Sequence, residues 1–202
     1  MSGWARHEGA AALLAQESID TDQIIPARFM SAPRAEGYGQ YLMHDARFDA
    51  DGAALRHPLN DGAPTILVAG RNFGSGSSRE AAVYALVDYG IRAVLAPSFG
   101  DIFAGNAVNN GLLPGRIDGD TFAALSEYLA GAFRPVSVDL EAARLRFGDR
   151  EAAFALDPVW RTKILNGWDD IDLTAQHREA LAAFAARRRA ATPWAWPADA
   201  QQ

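Results

Sequence analysis

The sequence predicts an α/β fold built on a parallel sheet, and three features carry that prediction. "TILVAG" (65–70) is a short run of β-branched and apolar residues bounded by Pro64 and Gly70, the pattern of a buried strand. "RAVLAP" (92–97) repeats the pattern and closes on Pro97. After each run comes a segment whose apolar residues recur at helical spacing. Strands alternating with helices build a parallel sheet, because each helical crossover brings the next strand back in the same direction.

The elements follow in order. Residues 78–89 read as a helix with Val83, Leu86 and Val87 on its apolar stripe and Gly90 as its stop. Residues 99–110 read as a second helix, carrying Phe99, Ile102 and Phe103 and ending at "NNG"; "GLLPGRI" after it is a third strand. "PVSVDL" and "RLRFG" alternate with period two and form a hairpin pair. "DPVWRTKILNG" has Asp157 as N-cap, Pro158 at the first helical position and Gly167 as C-cap. An Ala-rich amphipathic helix is expected from Thr174 to about Ala191. Residues 31–64, rich in Gly, Pro, Asp and Ala, read as a long loop over or beside the sheet. The organisation expected is one domain over 1–202, with a helical arm at about 157–191 and a flexible tail at 192–202.

Composition narrows the function classes. Apolar residues make up 49% of the 202, enough for a packed core. Duplex nucleic-acid binders carry a basic stripe, whereas the net charge here is −6 and the densest basic run, Arg187-Arg188-Arg189, reads as a solvated helix face. The chain has no cysteine, which excludes disulfides and a thiolate-held cluster on this chain. His7, His44, His57 and His177 are far apart and lack ligand spacing, so no metal site is expected. No apolar run is long enough to span a bilayer, and a cytoplasmic location is expected.

The densest cluster of chemistry-bearing residues is "GRNFGSGSSREAA" (70–82), between the first strand and its helix. It fails as a dinucleotide fingerprint, because Arg79 stands where a third glycine is needed after Gly74 and Gly76. It has no P-loop lysine, and neither Ser75 nor Ser77 has glycines two positions either side. A glycine turn running from a strand into a helix N-terminus still directs N–H groups and a positive helix end at one spot. Arg79, in the first helical turn, adds a planar fork that suits a carboxylate. Ser77-Ser78-Arg79-Glu80 also fits a capping box, so Ser77 reads equally as a helix cap or as a site residue.

Four segments together resemble the small-subunit family of 3-isopropylmalate dehydratase in the aconitase superfamily: "DTDQIIPARFM" (20–30), "GRNFGSGSSRE" (70–80), "APSFGDIF…NNGLLP" (96–114) and "LNGWDDIDLT" (165–174). The resemblance implies a swivelling β/β/α domain that works with a separate large subunit, which bears a 4Fe-4S cluster, while this chain binds no cofactor. The implied reaction isomerises 2-isopropylmalate and 3-isopropylmalate by dehydration and rehydration in leucine biosynthesis. A related dicarboxylate (homoaconitate, citraconate or a dimethylmaleate-like acid) is the alternative substrate, and a non-catalytic anion-binding module the alternative class.

By the same resemblance Ser77 matches the catalytic base. Ser78 and Arg79 match substrate-binding residues, Arg79 gripping a carboxylate, and Arg28 matches a second carboxylate-binding arginine. Thr21, Asp22, Gly74 and Gly76 support the same pocket, with an ordinary turn or cap as the other reading of Asp22. The chain departs from the family loop at Ser75, where a cysteine is usual, and at Ala81, where a histidine is usual. The departures mark a divergent branch. Tyr38 and Tyr41, in "EGYGQYLMHDARFD" (36–49), either line a pocket for an alkyl group or pack the loop down.

Overall fold

The computed structural model describes residues 2–77 and 79–196. Seven strands form one mixed sheet in the order β4-β3-β2-β1-β5-β6-β7. They are β1 (Arg6–Leu14), β2 (Ile66–Ala69), β3 (Ala93–Ala96), β4 (Leu113–Arg116), β5 (Arg134–Asp139), β6 (Arg144–Phe147) and β7 (Arg150–Ala153). β1 to β4 run parallel. β5 pairs antiparallel with β1, and β5, β6 and β7 continue as a meander. The sheet therefore has a parallel half and an antiparallel half, joined at β1.

The strands with the clearest sequence signal sit where burial is complete. Every residue of β2 and β3 is buried, so both faces are covered and no polar alternation is needed. Leu67, Ala69, Val94 and Ala96 face one core, shared with α4 (Glu80–Tyr89), α5 (Asp101–Asn109) and residues from the 19–43 segment. Ile66, Val68, Ala93 and Leu95 face the other, built with α6 (Gly119–Leu129), β5, β6 and Ile164 of α7 (Pro158–Asn166). The two-residue period thus sorts one strand into two cores.

Several expectations need correcting. The helix predicted at 78–89 begins only at Glu80. Its N-cap is Arg79, which makes no side-chain cap bond, so the Ser77–Glu80 capping box does not form. Glu80 instead accepts from Asn110 Nδ2 at 2.9 Å. The arm expected as one helix from Thr174 is two, α8 (Asp170–Ala175) and α9 (Arg178–Ala191), broken at Gln176 and His177. α8 is started by Asp169, whose carboxylate and that of Asp172 make a true capping box. β1, α6 and β7 go beyond the elements the sequence pattern predicts. Asp157 and Gly167 cap α7 as predicted. The expected tail is described only as far as Trp196; residues 197–202 lie outside the described residues.

Residues 31–64 hold short helical turns, including α2 (His44–Arg47) and α3 (Pro58–Asp61), rather than a bare loop; α1 (Thr21–Ile24) precedes them. The segment is fastened to α4. Arg34 forms a two-pronged ion pair with Asp88 and lies 4.4 Å from the centre of the Tyr84 ring. The Tyr38 N–H donates to Asp88 at 2.7 Å, and its hydroxyl donates to the Ala32 carbonyl at 3.0 Å. Tyr38 is buried and Tyr41 stacks on Phe29, so both pack the segment down.

Candidate active site: a carboxylate-binding turn

The site lies where β1, β2 and β3 end. Each parallel strand runs into a loop at its carboxyl end: residues 15–22 after β1, 70–79 after β2 and 97–100 after β3. Crevices at such ends are the usual ligand sites of α/β sheets.

Backbone bonds lace the three loops together. Gly74 N–H donates to the Ile19 carbonyl at 2.8 Å, and Thr21 N–H to the Ser75 carbonyl at 2.9 Å. Phe73 N–H donates to Ser98 and Gly100 N–H to Phe73. The fully buried Thr21 turns its hydroxyl onto the Ser77 carbonyl at 2.8 Å. Thr21 is thus a tether holding Ser77 over the end of β1. Asp20 caps α1 through the Gln23 N–H at 2.7 Å, which fixes the direction in which Asp22 leaves the turn.

Two glycines make the turn possible. Gly74 has φ +72°, and a Cβ there would lie 2.2 Å from the Phe103 ring. Gly76 has φ +90°, a left-handed conformation that side chains resist. The chain between them stays tight, and Ser77 emerges exposed on the rim. Because α4 starts three residues later, the Ser77 hydroxyl is not committed to a helix cap.

Arg79 is half-buried beside it. One guanidinium nitrogen donates to Asp22, and the same nitrogen lies 3.9 Å from the Met30 sulfur. Asp22 therefore does not cap α1, a role Asp20 fills: from the first turn of that helix it accepts a hydrogen bond from the Arg79 guanidinium across the mouth of the 70–79 loop. The structure brings together Thr21, Asp22, Gly74, Gly76, Ser77 and Arg79. Ser78 lies outside the described residues. Arg28 is engaged elsewhere, in a two-pronged pair with Asp45 and over the Phe29 ring at 4.4 Å. That bond holds the Asp45 carboxyl below its usual range.

The two departures fall at the edges of this geometry. Ser75 is half-buried and serves through its backbone, bridging to Asp20. Ala81, in the first turn of α4, packs against the core. Neither reaches the rim that Ser77 and Arg79 form. Asn109 and Asn110 read in the sequence as a helix stop only, yet they tie α5 to α8 and to α4 through Asp170 and Glu80. A cleft of about 520 Å³ between β1, His57–Asp61 and residues 131–133 is separate from the site.

Among the described residues no group of three or more His, Cys, Asp or Glu is placed to hold a metal, and no helix is long and apolar enough to cross a membrane. Fold and turn together define an aconitase-type domain: the aconitase C-terminal domain model matches residues 1–119. A second model, for the C-terminal domain of the 3-isopropylmalate dehydratase small subunit, matches residues 170–197. The chain is 44% identical over 189 residues to a 3-isopropylmalate dehydratase small subunit of Shouchella clausii, covering 91% of this chain and 95% of that one. It is 46% identical over 193 residues to that of Rhodospirillum centenum, covering 93% and 95%. The crystal structure of a 3-isopropylmalate dehydratase from Methanocaldococcus jannaschii superposes with a TM-score of 0.67 at 26% identity, covering 88% of this chain and 98% of that one. The chain belongs to the 3-isopropylmalate dehydratase small-subunit family.

Proposed function

We propose that this chain is the substrate-gripping half of a two-subunit hydro-lyase that interconverts 2-isopropylmalate and 3-isopropylmalate. The observation that carries the reading is the Gly74–Arg79 turn, which presents an exposed serine and an arginine fork side by side at the strand ends. In this reading Arg79 leaves Asp22 to take a substrate carboxylate in two parallel hydrogen bonds. Arg28 takes the second carboxylate after release from Asp45, and Ser78 is a further substrate-binding residue.

Ser77 is the base. Its alkoxide takes a proton from the CH₂ carbon of 2-isopropylmalate as the neighbouring C–O bond breaks, leaving an alkene diacid. Ser77 then returns a proton to the carbon that lost the hydroxyl while hydroxyl adds at the other carbon. Serine is a weak acid, so the anion needs N–H donors of the turn and the Arg79 charge around it. With no cysteine the donors of this chain do not fit an iron–sulfur cluster, and none of its steps runs through one. The Lewis acid for the hydroxyl belongs to the large subunit, where the 4Fe-4S cluster is expected. Both subunits work in the cytoplasm.

The test is anaerobic reconstitution with the large subunit of the same genome, followed by assay of dehydration on isopropylmalate and its analogues. Isopropylmalate is expected to be turned over fastest. Arg79→Lys, which keeps the charge and loses the fork, should raise KM at least about tenfold. No turnover of any diacid would end the enzymatic reading.

A further inference from the structure

We propose that residues 170–196 are the handle by which the large subunit grips this chain, through the apolar face of α9. This rests on the reading of the chain as one half of a two-subunit enzyme. Every residue of α9 is exposed, including Leu181 and Phe184, and α8 buries none of its residues either. Phe184 is 58% exposed and Ile171, on α8, 77%. An isolated helix of this length is marginal in water, and tertiary burial of an apolar face normally holds it. Among the described residues that burial is missing. Yet the segment has a family model of its own, matching 170–197. A stretch that adds nothing to its own core but keeps a family sequence has its core elsewhere.

The large subunit, rather than a second copy, is the occupant because the arm is rooted in the scaffold of the site. Lys163 of α7, buried and the single lysine of the chain, donates to Asp170 at 2.6 Å and to Asn109 of α5. Asn109 closes the triangle by donating to Asp170 at 3.1 Å. At its other end α5 is capped by Gly100, whose backbone is pressed against Gly74 of the catalytic turn. A partner that grips α9 is thereby registered against Ser77 and Arg79, as a partner completing that site must be. Ile102, 57% exposed on the first turn of α5, and Val159, 50% exposed on α7, are further exposed apolar side chains on the two helices in which the arm is rooted.

The chemistry of the partner surface follows. Leu181 and Phe184, one turn apart, call for an apolar groove. Arg178, Arg187, Arg188 and Arg189 against one glutamate, Glu179, make α9 basic in a chain of net charge −6, so the groove is rimmed with carboxylates.

The test is a titration of the large subunit of the same genome against the full-length chain and its Leu181→Gln/Phe184→Gln variant. Glutamine keeps helix propensity, so circular dichroism of the free chains should match. The variant is expected to bind at least a hundredfold more weakly. Arg187→Glu/Arg188→Glu, with the apolar face intact, should slow association at least tenfold at low salt. Affinity within threefold of wild type for the glutamine variant would overturn the proposal. So would self-association of the wild-type chain that the variant abolishes while binding to the large subunit is unchanged, because the arm would then belong to a second copy. A tight wild-type complex without isomerase activity would sink the catalytic reading and leave this one standing.

Discussion

The Thr21 tether makes a quantitative test of how the turn is held. Thr21→Val keeps the side-chain volume and removes one hydroxyl, the donor that lies 2.8 Å from the Ser77 carbonyl. Thr21 is 1% exposed, so no water replaces that donor from its side, although the Ser77 end stands at the rim and can be rehydrated. The net loss belongs at about 1 kcal/mol, the ordinary worth of one intramolecular hydrogen bond. In a chain of this length that lowers Tm by about 2–4 °C. The sharper consequence is catalytic. With the tether cut Ser77 samples positions away from the substrate, and losing about 1.4 kcal/mol of positioning costs tenfold in rate. In the reconstituted enzyme kcat should fall about three- to tenfold with KM unchanged, since Arg79 is untouched. Thr21→Ser restores the donor and should recover most of kcat despite losing a methyl group. A valine variant with lowered Tm and kcat within twofold of wild type would refute the tether, as would a serine variant no faster than valine.

Ser77→Ala should lower kcat by at least about a hundredfold, the scale of a lost general base. It should change urea stability of the isolated chain by less than about 0.5 kcal/mol, because no helix cap is lost; a loss near 1 kcal/mol would restore the cap reading. Gly74→Ala combines a left-handed backbone with a Cβ 2.2 Å from Phe103 and should cost about 3 kcal/mol or more. Gly90→Ala, at φ +109° with nothing within 4 Å, bears the backbone strain alone and should cost less than half as much. Equal urea midpoints for the two would contradict the packing argument. Hydrogen bonds from Lys163 and Asn109 hold the Asp170 carboxyl below its ordinary 3.8. A lowered carboxyl stabilises the fold above its unfolded pKa and loses that contribution as pH falls through the folded one. The stability gap between wild type and Asp170→Asn should therefore be full at neutral pH and narrow below about pH 4; a gap that stays constant on acidification would rule the linkage out.

What could be read from the sequence follows the physical strength of each signal. β2 and β3 declare themselves because four consecutive apolar residues between breakers have few other uses. β1, "RHEGAAALL", is hidden because alanines and Gly9 have little strand preference and gain it only from β2 and β5 on either side. α6 was legible in principle: Asp118 caps it through the Thr121 N–H, and Leu125 and Leu129 are four apart on its buried face. The Ser77–Glu80 pattern misled because a capping box is judged on spacing alone, whereas Gly76, in its left-handed conformation, delays the helix start to Glu80. The candidate site residues on the two turns are chosen by their types and their family pattern. The Asp22–Arg79 and Arg28–Asp45 pairs were not legible, since both join residues that only the fold brings together.

The place of β1 in the sheet has a consequence for how the molecule is made. Among the described strands the one made earliest is the central one, and its two neighbours begin only at residues 66 and 134. Synthesis runs from the N-terminus at a few residues to tens of residues per second, so β1 waits unpaired for seconds. A chain halted before residue 134 leaves the Arg6–Ala11 edge of β1 without its partner strand, an open row of N–H and C=O groups that invites pairing with another chain. The candidate site is half drawn by then, because the loops that follow β1 and β2 bring Thr21 and Ser77 together before β5 exists. That candidate site is thus older, in the life of each molecule, than the sheet that finally supports it.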